Sequence, residues 1–276
     1  MKKKIINLIE IVLIIVLVFS IYKIFSYYKN EKDFKDAMGE YDDNASASKE
    51  RIVSLVQDKE EQGDSAEMTI PEKLKTDFRK KVPDNSENSD SEIEKSPKDF
   101  INDLAREYNN IVGRIIVDGT EIDFPIVQGE DNYFYLDHDY KNSYNIFGAV
   151  FMDSRNTKDF SDFNTVLYGH NVESGHIFHE LAKLKEDDFV KAHPYIVVDT
   201  PDERKIYEIA AVYTAGAYED YRSPYYDEKN FEELLNRVVQ KNLIDKNILK
   251  GEHNMLTLST CSDIDDRLVV HAVCIK

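Results

Sequence analysis

The hydrophobic pattern changes character along the chain, and each change marks a different kind of structure. Lys2-Lys3-Lys4 precedes an almost uninterrupted apolar run from Ile5 to about Phe25. With its flanks this run reaches the roughly 20 residues needed to cross a bilayer. No small-x-small cleavage site follows it, because Ile21-Tyr22-Lys23-Ile24-Phe25 is bulky throughout. The reading is an uncleaved signal anchor over residues 1–28, with the lysines inside and all that follows facing outward. From 29 to 97 the pattern turns polar, with Lys, Glu, Asp, Ser and Asn dominant. Short helical pieces fit around 49–57 and 72–81, but the run Asp84 to Glu92 is too polar to order itself. This stretch is expected to be an acidic extracytoplasmic spacer.

Regular patterning resumes at Ser96-Pro97-Lys98-Asp99, a helix start signal of N-cap serine, proline and early acid. Phe100, Ile101, Leu104 and Tyr108 then share one helical face. After Ile111 the apolar runs become short and turn-separated, predicting strands at 112–117, 121–127, 149–152, 165–168, 195–199, 206–213, 255–260 and 268–275. Two helical segments interrupt them. One carries Ile177, Phe178, Leu181 and Leu184; the other spans 227–242, capped by Asp227, with Phe231, Leu234, Leu235, Val238 and Val239 at helical spacing. The fold class is mainly β, a barrel or sandwich of about eight strands, in one domain over residues 98–276.

Charge narrows the partners. The 276-residue chain carries a net charge of −18, and most of it lies in the patterned domain. Phosphate repulsion makes such a surface a poor nucleic-acid binder, so no nucleic-acid partner is expected.

The chemistry concentrates at strand ends. Thr257-Leu258-Ser259-Thr260-Cys261 closes one predicted strand, and Arg267 opens the next. Upstream, Thr165-Val166-Leu167-Tyr168-Gly169-His170-Asn171 delivers a histidine from another. A thiol, an imidazole and a fixed cation are what thiol-based acyl transfer requires. Alternation places Leu256, Leu258 and Thr260 inward, and Thr257, Ser259 and Cys261 on a polar stripe lining an outer groove. Cys274, in the apolar run Val273-Cys274-Ile275, reads as an inert core thiol. His176-x-x-His179 with Glu180 lacks a third ligand, so neither metal nor cofactor is expected.

The order histidine, cysteine, arginine, with Ile122-Asp123-Phe124-Pro125-Ile126-Val127-Gln128-Gly129, Asn132-Tyr133-Phe134-Tyr135-Leu136, Phe151-Met152-Asp153-Ser154-Arg155-Asn156, Leu167-Tyr168-Gly169-His170-Asn171 and the cysteine motif, resembles the class B sortases. The helix at 227–242 resembles the extra helix of that class. Two features depart from the family: a short interval from Cys261 to Arg267, and Ser262 where glutamate is common. The resemblance implies an eight-stranded sortase-type barrel and transpeptidation of a C-terminal sorting signal of the NPxTN kind. In that scheme Cys261 is the nucleophile, His170 the proton carrier and Arg267 the oxyanion donor. Ser259, Thr260, Tyr168 and Asn171 are the expected substrate contacts. The implied partners are sorting-signal-bearing surface proteins, a peptidoglycan-precursor amine and, through the anchor, the cell membrane. Two alternatives stay open: a pilin-polymerising sortase with a protein lysine as acceptor, and a catalytically silent binding domain on the same fold.

Overall fold

The computed structural model describes residues 2–57, 97–172, 176–216, 218–245, 254–261 and 266–275. Eight strands form a closed barrel: β1 (Ile111–Val117), β2 (Asp123–Val127), β3 (Val150–Met152), β4 (Asn164–His170), β5 (Tyr195–Asp199), β6 (Arg204–Gly216), β7 (Met255–Cys261) and β8 (Asp266–Cys274). Around the barrel they run β1-β2-β3-β4-β7-β8-β6-β5, and β5 closes onto β1. Six of the eight neighbouring pairs are antiparallel. Only β2–β3 and β4–β7 are parallel.

Alternation along each strand fills the interior. Ile126, Leu167, Val198, Val212, Leu256, Leu258 and Val270 belong to one buried cluster, and Cys274 is half-buried against it. Burial of each such side chain stabilises the fold by about 1.5–3 kcal/mol. The segment carrying Ile177, Phe178, Leu181 and Leu184 also joins this core, but its regular part is a 3-10 helix, His179–Lys185, that caps one end of the barrel.

Helices cover two faces of the barrel. The helix Glu228–Lys241 starts where the sequence signals it, with the Asp227 carboxylate accepting from the Asn230 backbone N–H. Its Leu234 and Val238 pack with Tyr213, Tyr221, Met255 and Val269 over β6, β7 and β8. Pro97–Glu107 lies beside β1 and β5 with Phe100 and Ile101 buried.

The first helix, α1 (Lys2–Gln57), departs from the expected spacer. Between Ile9 and Phe25 its large apolar side chains are exposed, in a stretch long and apolar enough to cross a membrane. From Asn30 it becomes one-sided. Phe34, Ala37, Tyr41 and Ala45 recur every three or four residues and are buried against the domain. Tyr41 stacks edge-on with Phe100 at 5.4 Å, and its hydroxyl donates to Asp123 at 3.1 Å. Beneath it Arg114 holds Asp123 through two parallel hydrogen bonds of 2.6 and 2.5 Å, both residues buried. The guanidinium sits 5.9 Å from the Tyr41 ring and 5.5 Å from that of Phe100. Composition alone made 29–57 look like linker, since Phe34, Ala37, Tyr41 and Ala45 are dispersed among many charges. Their spacing is what makes them a docking stripe. The remainder of the expected spacer, and Ser96, lie outside the described residues.

Candidate active site

Two strand ends define the site. β4 and β7 run parallel in unbroken register from Asn164↔Met255 to His170↔Cys261. The last residue of each strand is therefore opposite the other, in the same sheet and at the same end of the barrel. The Cys261 backbone is described, its side chain is not, and residues 262–265 lie outside the described residues, Ser262 among them. Arg267 lies next to last in the register of β8 with β6, opposite Ala215. Its guanidinium donates to the Thr260 carbonyl at 3.4 Å, which ties the arginine to the residue before the cysteine.

Next to these strand ends lies a cleft of about 570 Å³. His170, Arg267 and Tyr168 line it, together with Asn132, Tyr133, Leu136, Phe151 and Arg155 on one side and the segment 218–222 on the other. His170 Nε2 is 2.6 Å from the Leu136 carbonyl oxygen. A carbonyl only accepts, so Nε2 carries a proton and Nδ1 is left for exchange. That carbonyl belongs to the short 3-10 helix Phe134–Leu136. The histidine is thus oriented by backbone rather than by a carboxylate.

A polar network underlies the same wall. The Asp153 carboxylate is buried and accepts from Tyr168 Oη at 2.8 Å and from Arg155 Nε and Nη2 at 2.9 and 2.8 Å. Burial pushes this carboxyl up, but the hydrogen bonds from Arg155 and Tyr168 outweigh it and hold it below the ordinary aspartate range. Burial, and then the Asp153 charge, push the Tyr168 phenol well up, so it stays neutral. Arg155 Nη2 also donates to the Arg222 carbonyl at 2.8 Å, bridging the two walls of the cleft.

The sortase domain profile matches residues 115–275, more than half of the chain. It belongs to the sortase family. Sortase B of Listeria monocytogenes is 36% identical over 171 residues, spanning 61% of this chain and 70% of that protein. Sortase B from B. anthracis, in complex with AAEK1, superposes with a TM-score of 0.58 at 33% identity, over 64% of this chain and 85% of that one. A Staphylococcus aureus sortase B–substrate complex gives a TM-score of 0.59 at 28% identity, over 64% and 85%. The relatives are class B members, and so is this sortase.

Not every residue singled out from the sequence reaches the cleft of this sortase. Tyr168 does. Ser259 does not: it is 1% exposed, and its hydroxyl is bonded to Tyr221 Oη at 2.9 Å. Thr257, the preceding member of the stripe, bonds Asn164 and His271 in the same buried layer. The stripe expected to line an outer groove is instead roofed by Tyr221, Tyr213 and the helix Glu228–Lys241. Alternation identified the face correctly but not what covers it. Thr260 is buried as well, its Oγ1 accepting from the Leu268 N–H at 2.9 Å and pinning β7 to β8. Asn171 is exposed beside the cleft, bonded to His179 Nδ1 at 3.0 Å, and is not among the lining residues.

The three residues weighed as a metal site have separate structural tasks. His176 packs on Phe34 and Phe147, His179 bonds Asn171, and Glu180 accepts from the Glu121 N–H. Sequence reasoning did not assign roles to Leu136, Asp153 or Arg155, although all three stand in the motifs it quoted. The acid and base two positions apart in Asp153-Ser154-Arg155 were the available signal.

Proposed function

We propose that this sortase cleaves a C-terminal NPxTN-like sorting motif through a Cys261 thioester and transfers the protein to a cell-wall peptidoglycan amine. The supporting observation is the parallel β4–β7 register that sets His170 opposite Cys261 at the end of a cleft also lined by Arg267. The Cys261 thiolate attacks the carbonyl carbon after the motif's threonine. The negative charge that develops on the carbonyl oxygen is met by the Arg267 guanidinium, a donor fixed before reaction begins. The C–N bond then breaks, and His170, as imidazolium, gives its Nδ1 proton to the departing amine. An incoming amine attacks the thioester, passes its proton to His170 and releases Cys261 as thiolate. A neutral cysteine, with an ordinary pKa of about 8.5, is a weak nucleophile at neutral pH, and cations nearby favour the thiolate.

The exposed apolar stretch of α1 supports a single membrane span with Lys2–Lys4 inside and the barrel outside. That placement suits a substrate arrested in the membrane and a lipid-linked acceptor.

The test uses the full chain in detergent micelles, with fluorogenic peptides varied around NPxTN, with and without amine acceptors. Intact mass should show an acyl adduct that is absent in Cys261→Ala and that resolves on adding amine. A Cys261→Ala protein that still cleaves the peptide would sink the reading.

A further inference from the structure

Within the described residues, α1 runs from its apolar stretch onto the barrel surface without a break. The exposed apolar side chains of α1 continue through Phe25, followed by the exposed aromatics Tyr27 and Tyr28. Paired tyrosines at the end of an apolar span mark the lipid–water interface. Two residues later Asn30 is buried and locked to the domain. Its backbone carbonyl accepts from Asn145 Nδ2 at 2.9 Å, and its side-chain oxygen accepts from the Ile146 N–H at 3.2 Å. Tyr27 itself meets the Phe147 ring edge-on, with centroids 5.7 Å apart. Phe25 and Asn30 are separated by about 7.5 Å of helix, and a headgroup layer is roughly 5–8 Å deep on each side of the hydrocarbon. With Phe25 at the hydrocarbon boundary, loop 142–147 would begin at about the outer edge of that layer.

The loop is built for such a place. Tyr144 is 61% exposed and Ile146 36% exposed, an aromatic and an aliphatic side chain on either side of the buried Asn145. Some of the nearby charges have local partners, while Asp33 and Asp36 of α1 lie exposed beside Tyr144. Asp139 accepts from the backbone N–H groups of Lys141 and Ser143, Asp137 pairs with His138, and Lys141 pairs with Glu40 of α1. The same folded segment begins with Tyr133 and Leu136, which line the catalytic cleft. A bridge between His138 and Tyr144 holds its two halves together.

We infer that the 133–147 segment is a bilayer-docking surface, with Tyr144 and Ile146 seated in the headgroup layer and the cleft rim held against the membrane. The occupant is lipid, and the argument is continuity: α1 enters the bilayer a few residues from where it grips this loop. The inference rests on the reading of α1 as a membrane span. It implies that the cleft is presented at the membrane surface rather than lifted into the wall.

The chain contains no tryptophan, so single tryptophans report depth without background. The full chain is reconstituted in vesicles whose lipids carry bromine near the top of the acyl chains. Tyr144→Trp and, separately, Ile146→Trp are read for quenching. Phe19→Trp reports the span itself. Tyr225→Trp, 72% exposed and leading into the helix on the opposite barrel face, is the far-side control. Loss of emission at 19, 144 and 146, with none at 225, is the expected result. Quenching at 19 without quenching at 144 and 146 overturns the docking surface while leaving the anchor intact. An unquenched Phe19→Trp overturns the anchor and the docking surface together. Equal quenching at 144 and 225 overturns the oriented contact in favour of general adsorption.

Discussion

His170 and Cys261 are register partners at the ends of two parallel strands, with six further pairs behind them. Their relative placement is therefore set by a backbone ladder rather than by loops. Changes that shift the ladder's end should cost activity before they cost the fold.

Gly169 tests this. A Cβ there would lie 2.7 Å from the Phe178 ring and 2.8 Å from Ile177, both buried. Overpacking of this kind costs about 1–3 kcal/mol. Gly169→Ala should lower the melting temperature by roughly 2–4 °C per kcal/mol and should depress turnover further than that loss predicts. A variant with unchanged melting temperature and unchanged turnover would show that the ladder's end is not critical.

Arg155→Ala should weaken the domain at neutral pH by about 1–2 kcal/mol, a figure reduced because the guanidinium is partly exposed. The sign follows from Asp153. Its carboxyl is held below the ordinary range in the native state, so its contribution is present above about pH 4 and is lost as pH falls through the lowered value. Urea unfolding of both proteins should show the gap at pH 7 and its narrowing below pH 4. A gap that widens in acid would contradict the assignment.

The Tyr221–Ser259 hydrogen bond ties the roof segment to the strand that ends in Cys261. Tyr221→Phe and Ser259→Ala should each cost about 1 kcal/mol. The double variant should cost less than their sum, with a coupling of at least about 0.5 kcal/mol. Strict additivity in a denaturant cycle would mean that the two hydroxyls do not interact.

Removing the lower half of α1 should destabilise the barrel. A fragment beginning at residue 98 uncovers the surface that Phe34 and Tyr41 bury, at about 1.5–3 kcal/mol for each side chain. A fragment beginning at residue 29 retains it and should melt several degrees higher. Equal melting temperatures would show that the α1 contact adds no stability.

Most of the barrel was legible in the sequence because its information is local. The strand expected at 195–199 matches β5 residue for residue, and Asp227 caps its helix as its position suggested. β6 runs longer than expected, Arg204–Gly216 rather than 206–213, because pairing with β5 extends its start and pairing with β8 its end. The strand-end placement of His170, Cys261 and Arg267 was equally visible. What escaped is what depends on a second element arriving from elsewhere. Ser259 looked like a groove residue because alternation reports a face and not its cover. Leu136 looked apolar, yet its contribution to the site is a carbonyl oxygen that every residue possesses. Tyr41 looked like a stray aromatic in a linker until Asp123, eighty-two positions away, met its hydroxyl.

The position of β7 and β8 in the barrel has a consequence for when reactivity appears. They come last in chain order, yet they stand between β4 and β6. The first six strands alone make one open sheet, β6-β5-β1-β2-β3-β4, with two bare edges facing each other across a gap. Pairing of β7 and β8 into that gap closes the barrel and sets Cys261 opposite His170. On the proposed reading, a partly folded chain would have bare strand edges but no assembled His170–Cys261 pair, and catalytic competence would report a finished barrel.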